Sequence, residues 1–309
     1  MSDLSVLYDA PGPRAKVRNW LYTVAFVAVF ALIAWWVLSE MADKDQLAGE
    51  KWKPFVEDGR VWTTYLIPGL LNTLKAAFLS IAIALPLGAL FGIGRLSEHK
   101  WVRIPAGAVV EFFRAIPVLL MMVFANQAYA EYSTIESEMR PLYAVITGLV
   151  LYNAAVIAEI VRAGVLSLPY GQTDAAKAIG MRKGQLMLYV LLPQAVTAML
   201  PALVSQLVVI VKDTALGGAL LGFDELLGQV REITANYGAN TIAAFTVVAL
   251  IYILLNALLT TLASWVEGRV RRGKKSTGAV VAAGPGDTAG VDAPGVDAAG
   301  GPGGAGKTG

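Results

Sequence analysis

Apolar residues do not alternate along this chain; they run in long blocks separated by short polar gaps. Six stretches, at 20–39, 66–94, 104–130, 142–166, 196–222 and 241–266, reach the roughly 20 mostly apolar residues that carry an α-helix across a bilayer. Lipid offers no hydrogen bonds to an open backbone, so runs of this length predict helices. The first run exceeds the ~7–15 apolar residues of a cleavable signal, and no small-residue cleavage site follows Ala34-Trp35-Trp36-Val37. Pro86 and Pro117 fall inside the second and third runs, where neighbouring helices or polar side chains are expected to satisfy the freed backbone groups. The pattern predicts an all-α membrane protein of six transmembrane helices.

Composition agrees. Apolar residues make up 56% of the 309 residues and charged ones 16%, against about 25% charged in soluble domains. The absence of cysteine removes disulfides, zinc-thiolate sites and thiol nucleophiles. His99, the one histidine, lies in a polar gap beside Lys100 and Trp101 and reads as solvated or at headgroup level. No catalytic cluster stands out, and Met121 and Met122 read as packing.

Basic residues near the run ends divide fifteen against six. The richer side holds Arg14, Lys16, Arg18, Arg95, Lys100, Arg103, Arg162, Lys177, Arg182, Lys183 and the cluster from Arg269 to Lys275. That bias places both termini in the cytoplasm. Residues 1–19 then form a cytoplasmic segment, 20–39 a first helix, and 40–64 an extracytoplasmic connection. From 268 the chain is a cytoplasmic tail, rich in Gly, Ala and Pro after Ser276 and expected to be disordered. Within it, Gly301 to Thr308 fits the phosphate-loop pattern G-x-x-x-x-G-K-[ST]. No strand precedes it and no helical run follows it, so a chance match in a low-complexity segment is expected.

The loop 167–194 between the fourth and fifth runs is the most informative stretch. Asp174 to Ile179 reads as a short helix with Asp174 in its first turn, stopped by Gly180; Arg182 to Leu191 reads as a second, leading to Pro193. Two such helices make a knob on the cytoplasmic face, or else an amphipathic hairpin lying on lipid. Asp174-Ala175-Ala176, three residues, Gly180, nine residues and Val190-Leu191-Leu192-Pro193 resemble the EAA-x3-G-x9-I-x-L-P signature of ABC-importer permease subunits, with Asp for Glu and Val for Ile. Gly69 to Lys75, Glu111 to Pro117, Ala158 to Gly164 and Lys212 to Leu216 are similar to segments of the polar amino acid branch, and the whole most resembles its actinobacterial glutamate-uptake permeases. The similarity covers about 65–267.

The resemblance implies a five-helix permease core at 65–267 preceded by one extra helix, in a bacterial cell membrane. It implies that Gly171, Asp174, Ala175, Ala176, Gly180 and Pro193 belong to a coupling element seated on an ATP-binding subunit. ATP and Mg would be bound there, with no cofactor and no hydrolysis on this chain. The implied partners are a pair of those ATPase subunits, a second permease subunit (the same or a different chain), an extracytoplasmic amino acid-binding protein and lipid, with no nucleic acid. Alternating access would move a polar amino acid inward, glutamate for preference.

Ionisable groups inside the runs need explanation, because lipid makes them costly. Glu111 with Arg114, and Glu159 with Arg162, stand three apart and share a helix face. They are either satisfied ion pairs at helix ends or the lining of an inner mouth. Lys212 and Asp213 fall near the middle of the fifth run and, being adjacent, point in different directions. They suit the two ends of a zwitterion, or a charge pair across an interface between two permease subunits. Thr214, Asn153, Gln206 and Asn126 are further polar groups at membrane depth. Two other functions stay open at this point: an ion-coupled secondary transporter using Lys212, Asp213 and Glu159, and a non-transporting interaction subunit.

Overall fold

The computed structural model describes residues 12–238 and 240–274. Every regular element among the described residues is a helix, with no strand. We number the helices α1 (Pro13–Asp43), α2 (Gly49–Glu57), α3 (Val61–Arg95), α4 (Lys100–Ala115), α5 (Val118–Tyr132), α6 (Arg140–Leu166), α7 (Tyr170–Ala178), α8 (Lys183–Leu220), α9 (Gln229–Tyr237) and α10 (Thr241–Lys274). Five helices are long and apolar enough to cross a membrane, and α4 with α5 makes a sixth, bent span. The helix α1 buries none of its residues, so its apolar surface faces outward on all sides.

Two expectations need correction, the unbroken third run and the disordered tail from 268. The third run is not one helix: α4 and α5 meet at a 96° bend, with Ile116 and Pro117 extended at ψ 130°. The Pro117 ring disfavours helical backbone at the residue before it. Pro86, by contrast, stays inside a continuous α3. The connection 40–64 contains α2 and the start of α3, and the predicted tail begins as helix through Lys274. Beyond Lys274 the tail, including the Gly301–Thr308 pattern, lies outside the described residues.

Proline also shapes α3 and α8. Each contains one wide π turn, at Val61–Leu66 and Leu186–Leu191, just before Pro68 and Pro193. There the Ile67 N–H donates to the Trp62 carbonyl and the Leu192 N–H to the Met187 carbonyl, five residues back. A proline donates no hydrogen bond and crowds the carbonyl four residues behind it; a widened turn relieves both problems without breaking the helix.

The centre of the bundle is α6, which packs against α3, α4, α5 and α8. Its contact with α3 is close because Gly88 and Gly92, spaced as G-x-x-x-G, remove side chains from the seam. A Cβ at Gly88 would lie 2.6 Å from the Ile157 Cβ, and one at Gly92 2.8 Å from the Ala158 carbonyl oxygen. We therefore expect Gly88→Val to force the helices apart at a cost of about 1–3 kcal/mol. In detergent this appears as a clear drop in Tm, whereas Gly107→Ala, with open space around it, lowers nothing.

Around the head of α3, Phe55, Val61, Leu66, Leu226, Ile233 and Val248 form one cluster, which ties α2 and α3 to α9 and α10. Next to it the Tyr237 hydroxyl donates to Asp58 Oδ2 at 2.7 Å and the Arg60 amide to Oδ1 at 2.9 Å. These bonds, the tyrosine's first, hold the Asp58 carboxyl below the ordinary carboxylate range, while Asp58 pushes the Tyr237 phenol up. A depressed carboxyl contributes stability above its unfolded pKa and loses it as pH falls through the folded one. Hydrogen exchange at 58–62 and 234–238 should therefore speed up on acidification below the usual Asp range, and Tyr237→Phe should remove that acid step.

Candidate functional site

The knob is built from α7 and the foot of α8. Its first helix starts at Tyr170, so Asp174 lies in the second turn and not the first; the second predicted helix is continuous with the fifth span. Ala176 is buried with Val165, Leu186, Leu191 and Ala195, while Gly171, Asp174, Ala175 and Gly180 are exposed. Gly180 has φ +79°. Its N–H donates to the Lys177 carbonyl at 2.9 Å and the Met181 N–H to the Ala176 carbonyl at 3.1 Å, while Met181 packs against the Ala176 cluster. This is a Schellman closure, which needs a left-handed residue at the position glycine occupies. Pro193 follows the π turn and opens the regular part of α8. Lys183 Nζ lies 2.9 Å from Glu98 Oε1, and this hydrogen bond holds the Glu98 carboxyl below its ordinary range.

Above the knob lies a five-residue charge network. Glu159 receives Arg95 at 2.6 Å, Arg162 at 2.9 Å and Arg114 at 3.7 Å, and Arg95 also binds Glu111 at 2.8 Å. The expected Glu159–Arg162 pair is present. The expected Glu111–Arg114 pair is replaced, because Arg95 at the end of α3 reaches Glu111 across helices and Arg114 turns toward Glu159. Three cations face two anions, and Arg114 has the longest contact of the set.

Arg114 stands where two cavities meet. One, about 570 Å³, has Glu111, Glu159 and Ala163 in its wall. The other, about 600 Å³, runs past the α4–α5 break to Val118, Gln206 and Asp213. Arg114, Ala115, Tyr152 and Val156 line both. Lys212 does not share this space; it lines an apolar cavity of about 560 Å³ against Phe245, Tyr252 and Asn256 of α10. The adjacent charges thus point apart, as expected, and serve different cavities. Both lie at the end of the regular stretch Leu192–Asp213, just before the interruption at Thr214.

The remaining polar candidates divide. Gln206 Nε2 donates to Asn153 Oδ1 at 2.6 Å, and the Asn153 amide donates to the Leu149 carbonyl at 2.8 Å. Asn153 thereby orients Gln206 in the cavity wall. The Thr214 hydroxyl is buried and bonds back to the Val211 carbonyl. Asn126 Oδ1 is buried with no hydrogen-bond partner among the described residues.

One polar centre escaped the sequence reading. Glu225, fully buried in the loop before α9, accepts from the Tyr252 hydroxyl at 2.5 Å, the Gly228 amide at 2.8 Å and the Thr73 hydroxyl at 3.3 Å. Thr73 accepts in turn from the Leu226 amide, and neighbouring Asn72 donates to the Asp224 carbonyl. The available signal was the pair of carboxylates Asp224 and Glu225 among Phe223, Leu226 and Leu227, between Gly222 and Gly228, with a tyrosine and a threonine in apolar runs to meet one of them.

A bundle of apolar helices around charged cavities, one span broken beside them and an exposed knob at one end, defines a multi-pass membrane transport subunit. Residues 84–272 match the family described as binding-protein-dependent transport system inner membrane component, and the chain belongs to that family. It is 46% identical over 234 residues to the glutamate transport system permease protein GluD of Corynebacterium glutamicum, covering 76% of this chain and 85% of that one. It is 30% identical over 207 residues to a probable glutamine ABC transporter permease protein, GlnP of Bacillus subtilis, covering 66% and 93%. Its fold is similar to that in the crystal structure of an amino acid ABC transporter with histidines, at TM-score 0.61 and 29% identity over 67% of this chain and 95% of that one. The permease resemblance read from the 174–193 spacing therefore holds.

Proposed function

We propose that this chain is the permease subunit of an ATP-driven importer for a polar amino acid, with glutamate as the substrate. The observation that carries the substrate class is the cavity walled by Arg114 at one side of the α4–α5 break and by Asp213 and Gln206 on α8. A cation suits a carboxylate and an anion suits an ammonium, so the wall matches a zwitterion, and the excess cation of the adjoining network favours an acidic side chain. The 46% identity to a glutamate permease supports the same reading. Asp213 and Gln206 line this path with Arg114, Asn153 orients Gln206, and Thr214 ends the helix that presents them; Lys212 serves the other cavity. Both termini are cytoplasmic, a pair of ATPase subunits holds ATP and Mg and grips the 170–185 knob, and a binding protein delivers substrate to the outer side of two joined permease subunits.

The test is uptake of labelled glutamate into proteoliposomes. Transport should need this chain, a second permease subunit, the ATPase and ATP together. Arg114→Gln should raise the half-saturating concentration about tenfold or more, since a hydrogen bond to a charged group is worth about 1.5–3 kcal/mol. Uptake by this chain alone on a sodium or proton gradient, or an Arg114→Gln importer indistinguishable from the native one, would overturn the reading.

A further inference from the structure

The four residues 95–98, from the last residue of α3 into the turn before α4, join three separate places. Arg95, only 12% exposed, bridges Glu111 of α4 and Glu159 of α6 with its two terminal nitrogens. Leu96 packs into the knob cluster around Ala176 and Leu186. Glu98 binds Lys183, the first residue of α8. The turn itself is short and closed by Leu96 N–H to Ile93 and Ser97 N–H to Gly94 bonds, so its two ends cannot move independently.

We infer that this turn is the strap that transmits knob movement to the inner mouth, with Arg95 as its clamp. The inference rests on the importer reading for the source of the movement. When a partner displaces the knob, Lys183 and the Ala176–Leu186 cluster carry Glu98 and Leu96 with them. The turn then shifts Arg95 against its two carboxylates. Among the described residues Arg95 is the one cation paired with Glu111. Losing that alignment leaves α4 held to α6 by the longer Arg114–Glu159 contact and the packing of Val110 on Ala155 and Ala158, and the wall containing Arg114 shifts. A Coulombic bridge of this kind suits switching, since it has discrete made and broken arrangements. Spatial continuity alone does not establish coupling, so the test must measure it.

Glu98 and Lys183 are exposed enough to exchange without endangering the fold, and Arg95 is left untouched. In the assembled importer, Glu98→Lys and Lys183→Glu should each lower glutamate-stimulated ATP hydrolysis about fivefold or more, the low end of usual coupling strengths. The exchange carrying both should recover activity to within about twofold. The native chain has no cysteine, so Ala163→Cys in the cavity wall gives a single thiol to label. Its labelling rate should change on adding a non-hydrolysable ATP analogue, and Glu98→Lys should abolish that change while the ATPase still co-purifies. If Glu98→Lys keeps both the nucleotide-dependent labelling and the stimulated hydrolysis, the strap is refuted while the importer reading stands. If no ATPase co-purifies with the native chain, both fall.

Discussion

Replacing Glu225 by alanine is expected to unfasten the end of the bundle where the head of α3 meets α9 and α10. The carboxylate is fully buried and three donors from three places converge on it: Tyr252 on α10, Thr73 on α3 and the Gly228 amide at the start of α9. Alanine leaves the Tyr252 hydroxyl and the Gly228 amide without this acceptor and opens a void beside them, while Thr73 keeps the Gly69 carbonyl at 3.1 Å. Each buried group left unsatisfied costs about 1–3 kcal/mol, so the total is on the order of several kcal/mol, a large part of the ~5–15 kcal/mol that holds a protein folded. We expect the purified variant to lose its sharp melting transition, and α9 to exchange its amides quickly. Glu225→Gln should be much milder. Its carbonyl oxygen can still accept the Gly228 amide, and the Tyr252 hydroxyl can rotate to accept from the new amide. Equal losses from Ala and Gln would mean that the negative charge, not the bonding, holds the loop.

The same centre shows what the sequence could and could not reveal. Helices were legible because lipid imposes them: any run of twenty apolar residues has to satisfy its backbone internally. The knob was legible because its glycine, its small residues and its spacing are all local features. Interhelical partners were not. Asn72 and Thr73 lie in a segment readable as permease-like, yet their task, holding Asp224 to Leu226, spans about 150 residues of sequence. Arg95 was visible only as one more basic residue on the inner side, whereas folding makes it the bridge between two helices. An i,i+3 rule predicted Glu111–Arg114, but a local pair competes with every cation that packing brings near, and Arg95 is held closer. Lys212 and Asp213 illustrate the converse: the rule that neighbours on a helix diverge was enough to separate them, and only the cavities could say what each one meets.

The second large effect concerns Gly180. Nothing lies within 4 Å of the place a Cβ would occupy, so size is not what restricts this position. The restriction is the φ of +79°, which the Schellman closure demands and which costs an L residue about 1–2 kcal/mol, more if it is β-branched. Gly180→Val should therefore leave the bundle intact but refuse the turn between α7 and α8. The knob then presents Asp174 and Ala175 in the wrong direction, and ATP-driven uptake should fall at least about tenfold, with the ATPase no longer co-purifying. Gly180→Asn, which tolerates the left-handed region, should keep most of both activities. Asp174→Lys separates surface from backbone. That side chain is exposed, so the melting transition should stay in place while docking is lost through reversed charge. Valine and lysine variants that dock and transport like the native chain would show that the partner does not grip this knob.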